Sequence, residues 1–474
     1  MECQSGRVPD EIVAALARSV ASAMPRHVAT LSRLVAVPGI AWPAFDPEQL
    51  ECSAREVREV LIHAGLPDAG IIRADGPEGA HGAPAVVAGR PPAPGMPTVL
   101  LYAHHDVQPA GATAEWATDP FSLTERGGRL WGRGAADDKA GILMHVAALE
   151  ALDDVLGPGN GLGLTFFIEG EEESGSPSLP ALLDHLGQRL AADAAVVADS
   201  GSWKIGTPAL TTSLRGLVDG TIEVRILDHA LHSGTYGGPV LDALTALARL
   251  MASFHHADGS VAVEGLTLAD STSLEIPEPE FRREAGLPPR VRLAGSGPLA
   301  SRLWTKPALS FIGLDAPAIS AASNTLLPAA AVKFSLRLAP GTNPDEAMEA
   351  VRRHARYHVP FGAEMTFTPG SKSLPFVVDP ENIMVDAALW ALGEAWGTSP
   401  VTMGVGGSIP FVAALTERYP DCPVLLTGAE DPDSRAHGAN ESVHRGELEK
   451  AILAEALFLA AVSRMRDQHK KHPG

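Results

Sequence analysis

Three observations predict an α/β fold: a mixed, largely parallel sheet flanked by helices, with a separate α+β domain inserted into it. Short all-apolar runs alternate with helical periodicity as far as about residue 200, the rhythm of a helix-covered parallel sheet. After about residue 208 the strand-like runs change to strict apolar–polar alternation, which marks antiparallel strands with one exposed face. The all-apolar style then returns from about residue 376. The expected larger domain therefore covers 1–208 and 376–474, and the expected insert covers 209–375. A chain of 474 residues is in any case long for a single core.

Residues 9–35 carry Ile12, Val13, Leu16, Val20 and Met24 at helical spacing, and a second helix is expected over 48–64 after the turn at Pro43 and Pro47. The first buried strand is Thr98-Val-Leu-Leu-Tyr-Ala, before His104-His105-Asp106. The segment from Asp138 to Leu152 is helical and apolar on most sides, as a buried crossover helix must be. Leu164-Thr-Phe-Phe-Ile and Ala194-Ala-Val-Val-Ala supply two more buried strands. In the insert, Ile222, Val224 and Ile226 oppose Glu223 and Arg225, and Val332, Phe334, Leu336 and Leu338 oppose Lys333, Ser335 and Arg337. Helices follow each of these strands, from Val240 and from Pro344, the latter opened by the Asn343-Pro344-Asp345 start signal. Val385–Trp396 reads as a helix and Pro423–Thr427 as a last buried strand.

With 57 acidic against 37 basic residues, the net charge of −20 excludes a non-specific nucleic-acid binder, which needs a basic footprint. The three cysteines, Cys3, Cys52 and Cys422, show no CxxC spacing. A disulfide framework is not expected, and a reducing cytoplasm is. The N-terminus lacks a basic and then apolar signal pattern, and no stretch reaches the ~18 apolar residues of a membrane span. No membrane partner is expected.

Four of the buried strands end in residues that bind metals, and open α/β sheets hold ligands outside the carboxyl ends of their strands. His104 and Asp106 project to one side, so an imidazole can bind a cation while the carboxylate two positions on orients it. Gly132-Arg-Gly-Ala-Ala-Asp137-Asp138-Lys139 sets two carboxylates at a helix start, where they can cap the helix or bridge two cations. In Glu169-Gly-Glu171-Glu172-Glu173 three adjacent glutamates repel one another unless solvated or neutralised. After a buried strand, cation binding is the better account: one glutamate ligates and a neighbour stays free as general base. Asp199 and His437 add one donor each. Together these are donors for two divalent ions.

Seven segments carry a family resemblance: Tyr102–Pro109, Trp116–Phe121, Gly132–Lys139, Glu171–Ser176, Leu231–Gly238, Gly406–Pro410 and Ala436–Asn440. In this order they resemble the di-zinc dipeptidase, carboxypeptidase and aminoacylase family, most closely its carnosinase or cytosolic non-specific dipeptidase branch. The resemblance implies a zinc-exopeptidase-like catalytic domain and an inserted lid and dimerisation domain, acting as a homodimer on a dipeptide or other small substrate. It implies His104 and Asp199 on one metal, Glu173 and His437 on the other, and Asp137 bridging. Glu172 falls on the general base and Asp106 on the carboxylate that supports the first histidine. An amide bond is then cleaved by a hydroxide held between two ions, zinc by first expectation, with manganese or cobalt suiting the same donors. His232 matches a histidine offered to the other subunit's site, and Arg337, Asn324, Gly407 and Ser408 match substrate-binding positions. Asp199 favours the dipeptidase side, because carboxypeptidase and acylase members tend to carry glutamate there. Gly404-Val405 departs from the Arg-Glu usual in the dipeptidase branch, so the substrate's amino end is expected to be recognised differently. The alternatives within the same chemistry are an N-acyl-amino-acid amidohydrolase and a carboxypeptidase. A non-catalytic metal-binding scaffold is disfavoured by the complete donor set and the presence of Glu172.

Overall fold

The computed structural model describes residues 8–79, 81–268 and 274–465, so Cys3 lies outside the described residues. By its internal contacts the chain divides into Met1–Thr212 with Val378–Met403 and Pro410–Gly474, and Ser213–Val377 with Gly404–Ile409. The segment Gly404–Ile409, expected with the larger domain, belongs to the second unit. Arg215 is the local reason: its backbone N–H donates to Val405 O and its Nε–H to Gly406 O, each at 3.2 Å.

In the first unit the four apolar runs form the parallel part of the sheet. Their spatial order is Gly163–Glu169, Thr98–His104, Ala194–Val197 and Val424–Leu426. Ala85–Arg90 extends the sheet antiparallel beside Gly163–Glu169, and Ala209–Leu214 does so beside Val424–Leu426. Both central strands are buried along nearly their whole length, which is why they read as continuous apolar runs. The register sets His104 beside Glu169. The strand ends are therefore level, and His104, the turn after Glu169, Asp199 and the loop after Leu426 open on one rim.

Helix Lys139–Leu156 is buried on most sides because it packs between Asp10–Val35 and Arg445–Val462. Helix Asp10–Val35 buries Leu16, Val20, Met24 and Leu31. The buried Lys139 amine donates to Leu34 O at 2.8 Å and Val37 O at 2.7 Å, closing that helix's last turn. Helix Pro47–His63 starts on Asp46, whose side chain accepts the Glu48 N–H at 3.0 Å. A small antiparallel sheet that no local pattern announced joins Thr124–Arg126, Arg129–Trp131 and Ser442–His444.

The second unit is built on an antiparallel sheet in the order Ala308–Asp315, Ala329–Leu338, Gly216–Arg225 and Glu364–Ser373. Val218, Ile222 and Val224 form a core with Val332, Phe334, Leu336 and Leu338, covered by helices Ala243–Ser253 and Pro344–His358. Each such fully buried side chain contributes roughly 1.5–3 kcal/mol. The alternating partners Glu223, Arg225, Lys333 and Arg337 lie on the other face. Asn343 caps the second helix by accepting the N–H groups of Asp345 at 2.8 Å and Glu346 at 3.2 Å.

Candidate metal centre

Asp137 is the geometric centre of the rim. Its Oδ1 lies 3.0 Å from His104 Nε2 and its Oδ2 lies 3.0 Å from His437 Nε2. Glu173 Oε2 is 3.2 Å from the same His437 nitrogen. One donor atom each from His104, Asp137 and Asp199 lie within 4.8 Å of one another, and so do those from Asp137, Glu173 and His437. Two ligands at the ~2.0–2.2 Å of a zinc bond stand about 3–3.5 Å apart, so these separations suit shared ions. Asp137 is common to both groups.

Each side chain is held from behind. The chain alternates at the end of the Thr98–His104 strand, so His104 faces Asp137 while His105 turns away and donates its Nε2–H to Pro84 O at 2.8 Å. Asp106 is fully buried; its Oδ1 accepts the Glu172 N–H and its Oδ2 the Glu173 N–H, both at 3.1 Å. Asp106 Oδ1 also lies 3.4 Å from His104 Nδ1. The Asp106 backbone carbonyl accepts the His104 Nδ1–H at 3.1 Å, so one residue orients the histidine and the Glu172–Ser174 turn together. Gln108 donates its backbone N–H to Glu173 Oε1 at 3.1 Å and its side-chain amide to Oε2 at 2.7 Å.

The electrostatics reveal a shortage of positive charge. Despite burial, the two histidines hold Asp137 well below the usual carboxylate range. Asp137 and Glu173 push His437 up to about 10. Asp199 is pushed well up, by burial and then by Glu172 and the other carboxylates around it. Burial, opposed by His104 but aided by Asp106, Glu173 and Asp137, pushes Glu172 up to about 7. Asp138 and Glu430 are likewise pushed well up by burial and by Asp137. Such a cluster keeps its acids in the folded state only by binding protons or cations. Divalent ions would displace those protons, so the donor set and its charge fit a pair of divalent metals.

Sequence reasoning missed the residues that hold Asp137 in place. Glu441 accepts backbone N–H groups of Gly134 at 3.0 Å, Ala136 at 2.9 Å and Asp137 at 3.1 Å, and the Arg133 guanidinium at 2.6 Å. Arg133 stood inside a motif read for other residues and Glu441 directly after another, and neither pattern revealed that they meet.

The remaining candidates lie in the second unit. His232 ends the short strand Leu231–His232, paired with Thr325–Leu326, and its ring is exposed. Its Nδ1 accepts the Gly234 N–H at 3.1 Å. The carbonyl of Asn324 accepts the Ser233 N–H at 3.0 Å, so Asn324 borders the His232 turn. Arg337 is half-buried and donates to Ser408 Oγ at 3.4 Å, next to Gly407. Arg215 lies near this pair, and burial and then Arg337 lower its guanidinium to about 10. A side chain on Gly404 would bring a Cβ within 2.6 Å of Trp304 Cβ.

The profile of peptidase family M20/M25/M40 matches residues 100–463. The chain belongs to this family. It is 35% identical over 382 residues to a cysteinylglycine-S-conjugate dipeptidase of Corynebacterium striatum, an alignment covering 79% of this chain and 83% of that protein. Among solved structures, the dipeptidase Dug1p of Saccharomyces cerevisiae superposes with a TM-score of 0.80 at 23% identity, over 96% of this chain and 99% of that one. Human carnosine dipeptidase 1 gives 0.78 at 25% identity, over 95% and 99%. The peptidase is therefore an amide-bond hydrolase with a candidate dinuclear metal site, on the mixed, largely parallel α/β fold expected for it. No helix among the described residues is long and apolar enough to cross a membrane.

Proposed function

We propose that this peptidase is a di-metal dipeptidase. The observation that carries the reading is Asp137 standing between His104 and His437 with one oxygen toward each. His104 and Asp199 would hold one ion, Glu173 and His437 the other, and Asp137 both. Zinc is our reading of the ion, with manganese and cobalt suiting the same nitrogen and oxygen donors. Bound there, the ions supply Lewis acidity and lower the pKa of water. Glu172 takes a proton from water as the water oxygen bonds to the amide carbon. Glu172 then passes that proton to the amine nitrogen as the C–N bond breaks. Asp106 keeps Glu172 in place through its backbone N–H. Arg337, with Ser408 and Gly407, holds the substrate carboxylate, with Asn324 beside the His232 turn. His232 of the partner subunit steadies the oxyanion.

A homodimer through the inserted domain is part of this reading. Its support is the edge strand Ala308–Asp315, where Ile312 and Leu314 are 57% and 53% exposed. The free thiols of Cys52 and Cys422 support a cytoplasmic home, which cell fractionation would check.

Glu172→Gln tests the mechanism. Metal content should stay at the parent level while kcat falls by ~10²–10⁴; an unchanged rate would refute Glu172 as base. A second reading concerns the substrate's amino end. Trp304 fills the space beside Gly404, and Val405 is apolar, so this segment offers no acid to a substrate ammonium. N-acyl amino acids and carboxypeptidase substrates thus compete with dipeptides as candidates. A panel of dipeptides, β-alanyl peptides and N-acyl amino acids decides: strong preference for free α-amino dipeptides removes the second reading.

A further inference from the structure

We infer that Arg133 and Glu441 form a buried clasp that sets the spacing between the two ion positions, and that Arg133 is a positioning residue for the ion on the Glu173–His437 side. The inference rests on the two-metal reading above. Arg133 is 1% exposed and is among the largest fully buried side chains. Its Nη1 donates to Glu441 Oε2 at 2.6 Å, while its Nη2 donates to the carbonyls of His437 at 3.2 Å and Gly438 at 3.1 Å. One planar guanidinium therefore grips the backbone of the histidine ligand and the carboxylate that organises the other loop.

Glu441 completes the grip. Its Oε1 accepts the N–H groups of Ala136 and Asp137, and its Oε2 accepts Gly134 N–H and Arg133. Four donors fill the ~4 lone-pair sites of a carboxylate. Its backbone carbonyl also accepts the Gly132 N–H at 3.0 Å. Neighbouring Asn440 fastens the same loop by accepting Ala117 N–H at 2.7 Å and donating to Glu115 O at 2.8 Å. The two loops meet nowhere in sequence, with Arg133 and Glu441 308 residues apart, yet Asp137 and His437 must stay within a few tenths of an ångström of their positions to share ions. His437 is itself 59% exposed at its side chain and has a φ of +64°, so its position depends on what holds its backbone.

The two sides of the site should therefore respond unequally to loss of Arg133. Glu441 keeps its three backbone donors in Arg133→Met, so Asp137 stays placed, whereas the His437 and Gly438 carbonyls lose their anchor. Zinc titration of the metal-free full-length protein against a chelator should show two ions bound by the parent. In Arg133→Met one ion should weaken by about 10–100-fold, the usual cost of losing a group that orients a ligand, and the other by less than threefold. Two ions bound with parental affinities would overturn the clasp. Equal weakening of both, with a lowered melting temperature, would overturn it too, because that is general destabilisation. Should Arg133→Met not fold, Arg133→Lys, which keeps the charge but cannot reach both loops, is judged by the same split. A parent that binds fewer than two ions would sink the two-metal reading instead, so the two failures are distinguishable.

Discussion

Asp106 shows how much one buried side chain can decide in this peptidase. It spends one oxygen on each of two successive backbone N–H groups, those of Glu172 and Glu173, and still faces His104 Nδ1. Replacing it with asparagine keeps the volume but turns an amide NH₂ toward a donor. Asp106→Asn should therefore lower kcat/KM by about 10–100-fold with the fold intact; full activity in the variant would remove Asp106 from the site. The charged types in the motifs were legible in the sequence because metal donors at strand ends are few in kind. Their division of labour was less so: the turn brings a Glu173 oxygen to His437, where Gln108 holds it, while Glu171 accepts from Ala83 and Ser178. His105 illustrates the same point, since sequence alone leaves two neighbouring imidazoles equivalent and only the strand's pleat turns one of them to Pro84.

The secondary elements follow their local chemistry closely. Continuous apolar runs became strands buried on both faces, and alternating runs became strands with one buried face. Helix Pro344–His358 carries a titratable consequence of its packing. His354 sits against Phe254, with ring centroids 4.5 Å apart, and against His358 at 4.2 Å, while Ser253 Oγ is 3.1 Å from its Nε2. Burial, and then the charge of His358, lower His354 to about 4, against ~6.5 in an unfolded chain. A histidine with a depressed folded-state value favours folding above the unfolded pKa, and that contribution is lost as pH falls from about 6.5 toward 4. The protection factors of this helix against hydrogen exchange, corrected for the intrinsic pH dependence of exchange, should therefore fall between pH 7 and 5, and His354→Phe should flatten that trend. An identical trend in parent and variant would count against the assignment.

The molecule as a whole combines an insert and a host that each bury their own core. The insert ends its sheet on Ala308–Asp315, and exposed apolar residues on an edge strand invite pairing with another chain. On the dimer proposal, sedimentation should give a dimer for the parent and a monomer for Ile312→Glu with Leu314→Glu, with activity falling alongside, since that proposal has His232 of the partner subunit serving the site. A parent that sediments as a monomer would end the dimer proposal.

Composition, the two kinds of strand pattern and the donor residues at strand ends were enough to predict the fold class and a metal site, because burial and side-chain period are written locally along the chain. The sequence alone assigned Gly404–Ile409 to the wrong body, since nothing local records that Arg215 binds its carbonyls. Nor did any pattern predict the small sheet that pairs Ser442–His444 with Arg129–Trp131, or the meeting of Arg133 with Glu441 beneath Asp137. Those contacts join segments some three hundred residues apart. They exist only once the parallel sheet has levelled its strand ends and brought the loops together, so the spacing of the candidate ligands is a property of the folded chain.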